Sequence, residues 1–169
     1  MSATKTAPAI HATAFVLATP AGARGLLVTG LSGAGKSALA LALVDEWHAH
    51  SRFSALVADD LVILRAAHDR LLALPPTTAP PELRGKAERR GLGIVSRPHL
   101  ARAVMHLHVA LADRHERMPD PGRTTFEGVA LPRLDVPRLD GPHGANAVAI
   151  VRDWLLEGAW TGRERQQSA

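Results

Sequence analysis

The stretch that most constrains this chain is LLVTGLSGAGKSALALAL, residues Leu26 to Leu43. Its first residues are continuously apolar, which reads as a short buried strand. Gly30, Leu31, Ser32, Gly33, Ala34, Gly35, Lys36 and Ser37 then fit the pattern G-x-x-x-x-G-K-[S/T]. Behind them, SALALALVDEWHAH predicts a helix, because Ala and Leu favour helix and neither Gly nor Pro interrupts the run. Strand, glycine turn and helix in that order are the context the pattern needs. Glycines let successive backbone N–H groups curl around an anion. The helix adds its unpaired N-terminal donors and the positive end of its dipole. Lys36 is placed to reach β- and γ-phosphates, and the Ser37 hydroxyl to ligate Mg2+. The turn does not say where the phosphate goes.

The rest of the 169 residues read as one domain over 10–160, with loose tails at 1–9 and 161–169. IHATAFVLA is a strand by its β-branched and aromatic content, and TPAGARG is a turn by its Pro and Gly. FSALVADD is a second apolar strand ending in two carboxylates. LVILRAAHDRLLALPP predicts a hairpin turning near AHDR, PPTTAPPELRG a loop and GLGIVS a short strand. In ARAVMHLHVALAD, His106 and His108 alternate with apolar residues, which favours a strand. EGVALPRLDVP is a further strand, and GANAVAIVRDWLLEGAW a closing helix. Strands dominate between residues 55 and 138, so the expected fold is α/β with a mixed sheet.

Composition excludes more than it assigns. The chain has no Cys, which removes disulfides, thiolate metal sites and cysteine nucleophiles. The formal charge is +4, but basic residues interleaved with aromatics, the footprint of nucleic-acid binding, are missing. Residues 1–9 carry no apolar segment of the signal-peptide kind. No apolar run approaches the roughly 18 residues of a membrane span. The expected location is cytoplasmic, with neither nucleic acid nor membrane as a partner.

Asp59 and Asp60 end their strand downstream of the glycine turn. One could organise Mg2+ while the other accepts a proton from an attacking hydroxyl. Consecutive side chains on an extended strand point to opposite faces. Both serve one site only if the chain turns there, and sequence alone leaves open which takes which part.

Three motifs in order resemble the catalytic domain of the HPr kinase/phosphorylases. They are GLSGAGKSALALAL, LVADDLV and AERRGLGIV within PPELRGKAERRGLGIV. The resemblance spans residues 10–158 and is to the short form of that family. It implies a P-loop kinase-like fold and transfer of the ATP γ-phosphoryl to a serine of the phosphocarrier HPr, in the sugar phosphotransferase system. The reverse phosphorolysis and a homo-hexameric assembly are implied as well. Residue by residue, it implies that Glu88 is a metal ligand beside Ser37 and Asp60, and that Asp59 or Asp60 is the base. It further implies that His11 in IHAT assists that aspartate and that Arg117 in HERMP stabilises the transferring group. Arg89 stands where the family signature has an aliphatic residue, and no Pro-Gly-Arg-Asn motif is recognisable near LDGPHGANAVAI. Two other readings remain: a small-metabolite P-loop kinase, and a non-catalytic nucleotide sensor.

His106 and His108 share a strand face and read as structural histidines ahead of a metal pair. Trp47 and Trp154 read as packing residues. Arg84, Lys86, Arg89 and Arg90 form a basic cluster after a Pro-rich segment, either a solvated loop or a lid over substrate.

Overall fold

The computed structural model describes residues 8–113 and 122–157. The chain begins with β1 (Ala9–His11), β2 (Thr13–Thr19) and β3 (Gly22–Thr29), followed by α1 (Lys36–Ala49). Then come β4 (Ser54–Ala58), the hairpin β5 (Leu61–Ala67) and β6 (Arg70–Leu74), and a 3-10 turn at Pro81–Leu83. A second hairpin, β7 (Lys86–Arg89) and β8 (Gly93–Ser96), precedes β9 (Ala103–Ala112). The chain continues through β10 (Gly122–Phe126) and β11 (Val129–Pro137) to α2 (Ala145–Leu156).

The main sheet runs β1-β5-β6-β9-β3-β2-β4, with β10 and β11 joined to β9. It is mixed, as its sequence implied. β3 and β11 run parallel to β9, while β6 pairs antiparallel with the start of the same strand. Side chains of opposite parity on β2 and β3 feed two cores. Phe15, Leu17, Leu26 and Val28 face α1 and α2, and Ala14, Val16 and Leu27 face the layer formed by β5 and β6. The sheet therefore curls, with helices on one face and its own edge strands on the other. α1 is apolar nearly all round because the sheet, β7 and α2 enclose it.

Two local expectations change. TPAGARG is a turn only at Pro20 and Ala21, since Gly22 already pairs with Thr19. Gly25 is in the strand because β9 comes so close that a Cβ there would lie 2.0 Å from the Val104 carbonyl oxygen. Its glycine serves strand approach rather than turning. The strands β7 and β10 were not expected. Both are short, and their charged or exposed positions hide the alternation that marks a strand.

Candidate active site

The glycine turn folds as its pattern requires. Gly35 caps α1 at φ 101°, and a Cβ there would sit 2.6 Å from Cβ of Leu139. Only glycine meets both demands. The Leu139 amide donates to the Ala34 carbonyl at 3.0 Å, which ties the loop after β11 to the cradle. Lys36 Nζ donates to the carbonyls of Gly30 and Leu31, each at 3.1 Å, so the ammonium folds back over the turn.

β4 delivers the carboxylates, and the chain does turn between them. Asp60 adopts φ 69°, a left-handed conformation that aspartate tolerates better than most residues. The Leu61 amide bonds the Asp59 carbonyl at 2.9 Å, and the Ala12 amide bonds the Asp60 carbonyl at 3.2 Å. The two side chains consequently meet different partners. Oδ1 of Asp59 accepts the Ser37 hydroxyl and the Thr13 hydroxyl, both at 2.7 Å. Oδ1 of Asp60 lies 3.4 Å from Nδ1 of His11, and both side chains are exposed. Thr13 was not singled out in the sequence. The structure buries its side chain fully at the start of β2, two residues after His11, and nothing in the sequence alone set it apart from Thr19 at the other end of the strand.

The hairpin β7–β8 brings the third acid. Ala87 is buried against α1 in the helix-side core, which leaves Glu88 exposed on the opposite face of the strand. Asp45 of α1 accepts from Arg89 at the end of β7 and from Arg97 just past β8. Arg97 beside it holds the Asp45 carboxyl below the usual carboxylate range, although burial pulls the other way and Arg89 assists. The basic cluster is thus divided. Arg89 is tied to the helix, and Arg90 faces the glycine turn, 3.6 Å from where a Gly33 Cβ would stand.

These parts enclose a cavity of about 540 Å³ lined by Gly33, Gly35, Lys36, Ser37, Asp60 and Glu88, among others. Acids from two distant segments therefore meet the cradle in one place. Arg90, Leu139 and Asp140 close another part of the wall. Arg138 holds the Asp140 carboxyl below its ordinary range. Arg117 lies outside the described residues.

The donors facing the cavity fit Mg2+. A hydroxyl and two carboxylates are hard oxygen ligands, and this ion is held through one or two carboxylates with water and phosphate completing its shell. Among the described residues no three His, Asp or Glu side chains form an all-protein metal cage. His106 and His108 are engaged by the protein. Nδ1 of His106 accepts the Gly25 amide at 3.0 Å. His108 is buried, with Nε2 at 2.7 Å from Oγ1 of Thr29 and Nδ1 at 3.0 Å from Oγ1 of Thr124. Trp47 is buried and donates to the Ala18 carbonyl at 2.6 Å, and Trp154 packs against the helix-side core.

Fold and cradle together define a P-loop kinase-like domain with a mixed sheet. The comparisons with known proteins then narrow the class. HPr kinase/phosphorylase from Limosilactobacillus reuteri (strain DSM 20016) is 35% identical over 126 residues, 67% of this chain and 37% of that protein. HPr kinase/phosphorylase from Azoarcus sp. (strain BH72) is 32% identical over 152 residues, 79% of this chain and 44% of its own. The Hpr(Ser) kinase/phosphatase structure from Coxiella burnetii has the same fold, with a TM-score of 0.60 and 24% identity, covering 86% of this chain and 95% of that one. No family model matches the chain. The chain is similar in sequence to these HPr kinase/phosphorylases and shares the fold of the solved one. It spans 37% to 44% of the length of those two curated relatives. No helix among the described residues is long and apolar enough to cross a membrane.

Proposed function

We propose that this domain transfers the γ-phosphoryl of ATP to a serine hydroxyl of an HPr-type phosphocarrier. The observation that carries the reading is the single cavity in which Lys36 and Ser37 meet Asp60 and Glu88. Backbone amides from Gly30 to Ser37 and the Lys36 ammonium bind the phosphates. Ser37 and Glu88 would hold Mg2+, which when bound neutralises charge on the phosphate oxygens.

Asp60 is the base. It is exposed to the cavity, and its carboxylate makes no internal hydrogen bond among those formed by Asp59. His11, 3.4 Å away, orients that carboxylate and offers it a compensating charge when protonated. Asp59 is spoken for by two hydroxyls, so it fixes Ser37 in place instead of taking a proton. Arg117 supplies positive charge to the transferring group. Positioning and electrostatics account for most of the rate, as in phosphoryl transfer generally. The same proposal extends to a cytoplasmic location and to a homo-hexamer, which light scattering of the purified protein would test.

The test is incubation with labelled ATP, Mg2+ and an HPr carrier, with mass-spectrometric mapping of the phosphoserine. Asp60→Asn is expected to lower kcat by about a hundredfold or more, the usual contribution of a placed general base, with nucleotide binding retained. Absence of transfer, while a known HPr kinase succeeds in parallel, sinks the proposal.

A further inference from the structure

Glu88 stands on a strand that the main sheet does not hold. Among the described residues β7 pairs with β8 alone, and the two form a sheet separate from the nine-stranded one. A two-stranded hairpin is marginal by itself in water. The backbone ties that anchor it lie past β8. The Leu56 amide bonds the Pro98 carbonyl and the Leu100 amide bonds the Leu56 carbonyl, each at 2.8 Å. Something else must therefore fix Glu88 relative to the glycine turn.

Side chains on the helix side of the hairpin do so. Ala87 packs into the helix-side core. Arg89 donates to Oδ2 of Asp45, and Arg97 donates to both oxygens of the same carboxylate. The two arginines grip opposite ends of the hairpin. Arg89 is at its turn end, opposite Gly93, and Arg97 is at its open end, where its amide bonds the Gly85 carbonyl at 2.8 Å. Paired donors on one carboxylate fix geometry as well as adding energy. Glu88 lies between them in the chain and faces the phosphate cavity, which Asp45 does not line.

Asp45 belongs to α1, the helix that begins at Lys36 and Ser37. One rigid element thus carries a metal-facing hydroxyl at its start and, roughly 12 Å further along at 1.5 Å per residue, the anchor of the metal-facing hairpin. We infer that Asp45 is a positioning residue for the metal site: through Arg89 and Arg97 it seats β7 on α1 and so sets the spacing between Glu88 and Ser37. Arg89 stands where the family signature has an aliphatic residue, so that signature does not supply this clamp. The inference rests on Glu88 and Ser37 holding Mg2+ under the kinase reading above.

The test measures binding of a fluorescent ATP analogue to the full chain across a Mg2+ titration and in EDTA. Removing a partner behind a metal ligand typically weakens metal affinity by about 10–100-fold. Asp45→Asn should therefore raise the Mg2+ concentration for half-maximal binding about tenfold and leave binding in EDTA unchanged. Arg97→Gln, which leaves the helix untouched, should give a shift in the same direction. Glu46→Gln removes the neighbouring ion pair of α1 with Arg152 and should give none. In a Glu88→Gln background, Asp45→Asn should add nothing, because it acts through Glu88. A merely structural residue would instead weaken binding in EDTA as well and add its full effect to Glu88→Gln; either result overturns the inference. So does an unchanged Mg2+ requirement in both Asp45→Asn and Arg97→Gln. If the unmodified protein still phosphorylates HPr in that case, the kinase reading stands alone. If the Mg2+ requirement shifts as stated while the unmodified protein transfers nothing to HPr, the kinase reading falls and the positioning role stands.

Discussion

Acidification should weaken this fold through His108. The ring is buried between Thr29 at the end of β3 and Thr124 on β10, with the edge of Phe126 against it at a centroid distance of 5.0 Å. Burial pushes its pKa from 6.5 down to about 4, Arg133 pushes the same way, and Asp135 opposes them. Neutral imidazole satisfies both threonines, one ring nitrogen donating and the other accepting. The unfolded chain binds the extra proton below about pH 6.5 and the native chain only near pH 4, so stability falls as the pH drops through that window. At 1.36 kcal/mol per unit, the full effect approaches about 3 kcal/mol, and lowering the pH from 7 to 5 realises about 2 kcal/mol of it. Urea unfolding of the parent protein and of His108→Gln at both pH values isolates this share as a double difference, free of the other histidines. Equal losses in the two proteins, or an NMR titration of the His108 ring near 6.5, would refute the argument. Because Thr29 leads directly into Gly30, the same acid step should loosen the phosphate cradle before the helices separate.

Gly35→Ala should abolish measurable nucleotide binding in a fluorescence titration, because the added methyl meets Leu139 at a φ of 101°. Trp47→Phe should cost about 1–3 kcal/mol in denaturant unfolding, since it removes a bond to the Ala18 carbonyl and leaves a gap in the core. Thr13→Val keeps the shape of a fully buried side chain but strips one donor from Asp59. It should weaken Mg2+-dependent nucleotide binding while leaving binding in EDTA nearly unchanged. Asp45→Asn should speed hydrogen exchange of the 86–89 amides, because both arginines that clamp the hairpin lose their charged partner.

What the sequence disclosed was local. Gly30 to Ser37 form one contiguous pattern whose strand and helix flank it directly, so their arrangement could be read off. The alternation through His106 and His108 likewise marked β9. The division of labour between Asp59 and Asp60 was not legible, because it depends on Thr13 crossing from another strand. Neither was the clamp on Asp45, whose arginine partners stand 44 and 52 positions away. A second cavity, of about 360 Å³, could not be anticipated either. It arises only when the Pro-rich loop, read simply as irregular chain, folds over the end of β4.

The left-handed backbone at Asp60 acts as a filter on what evolution or a laboratory can place there. A library randomised at this codon should return glycine and asparagine among its well-folded members, and few β-branched residues, whatever is selected for afterwards. The amide is thus the conservative probe of the acid's chemistry. Alanine at the same place would confound a missing carboxylate with a distorted bend.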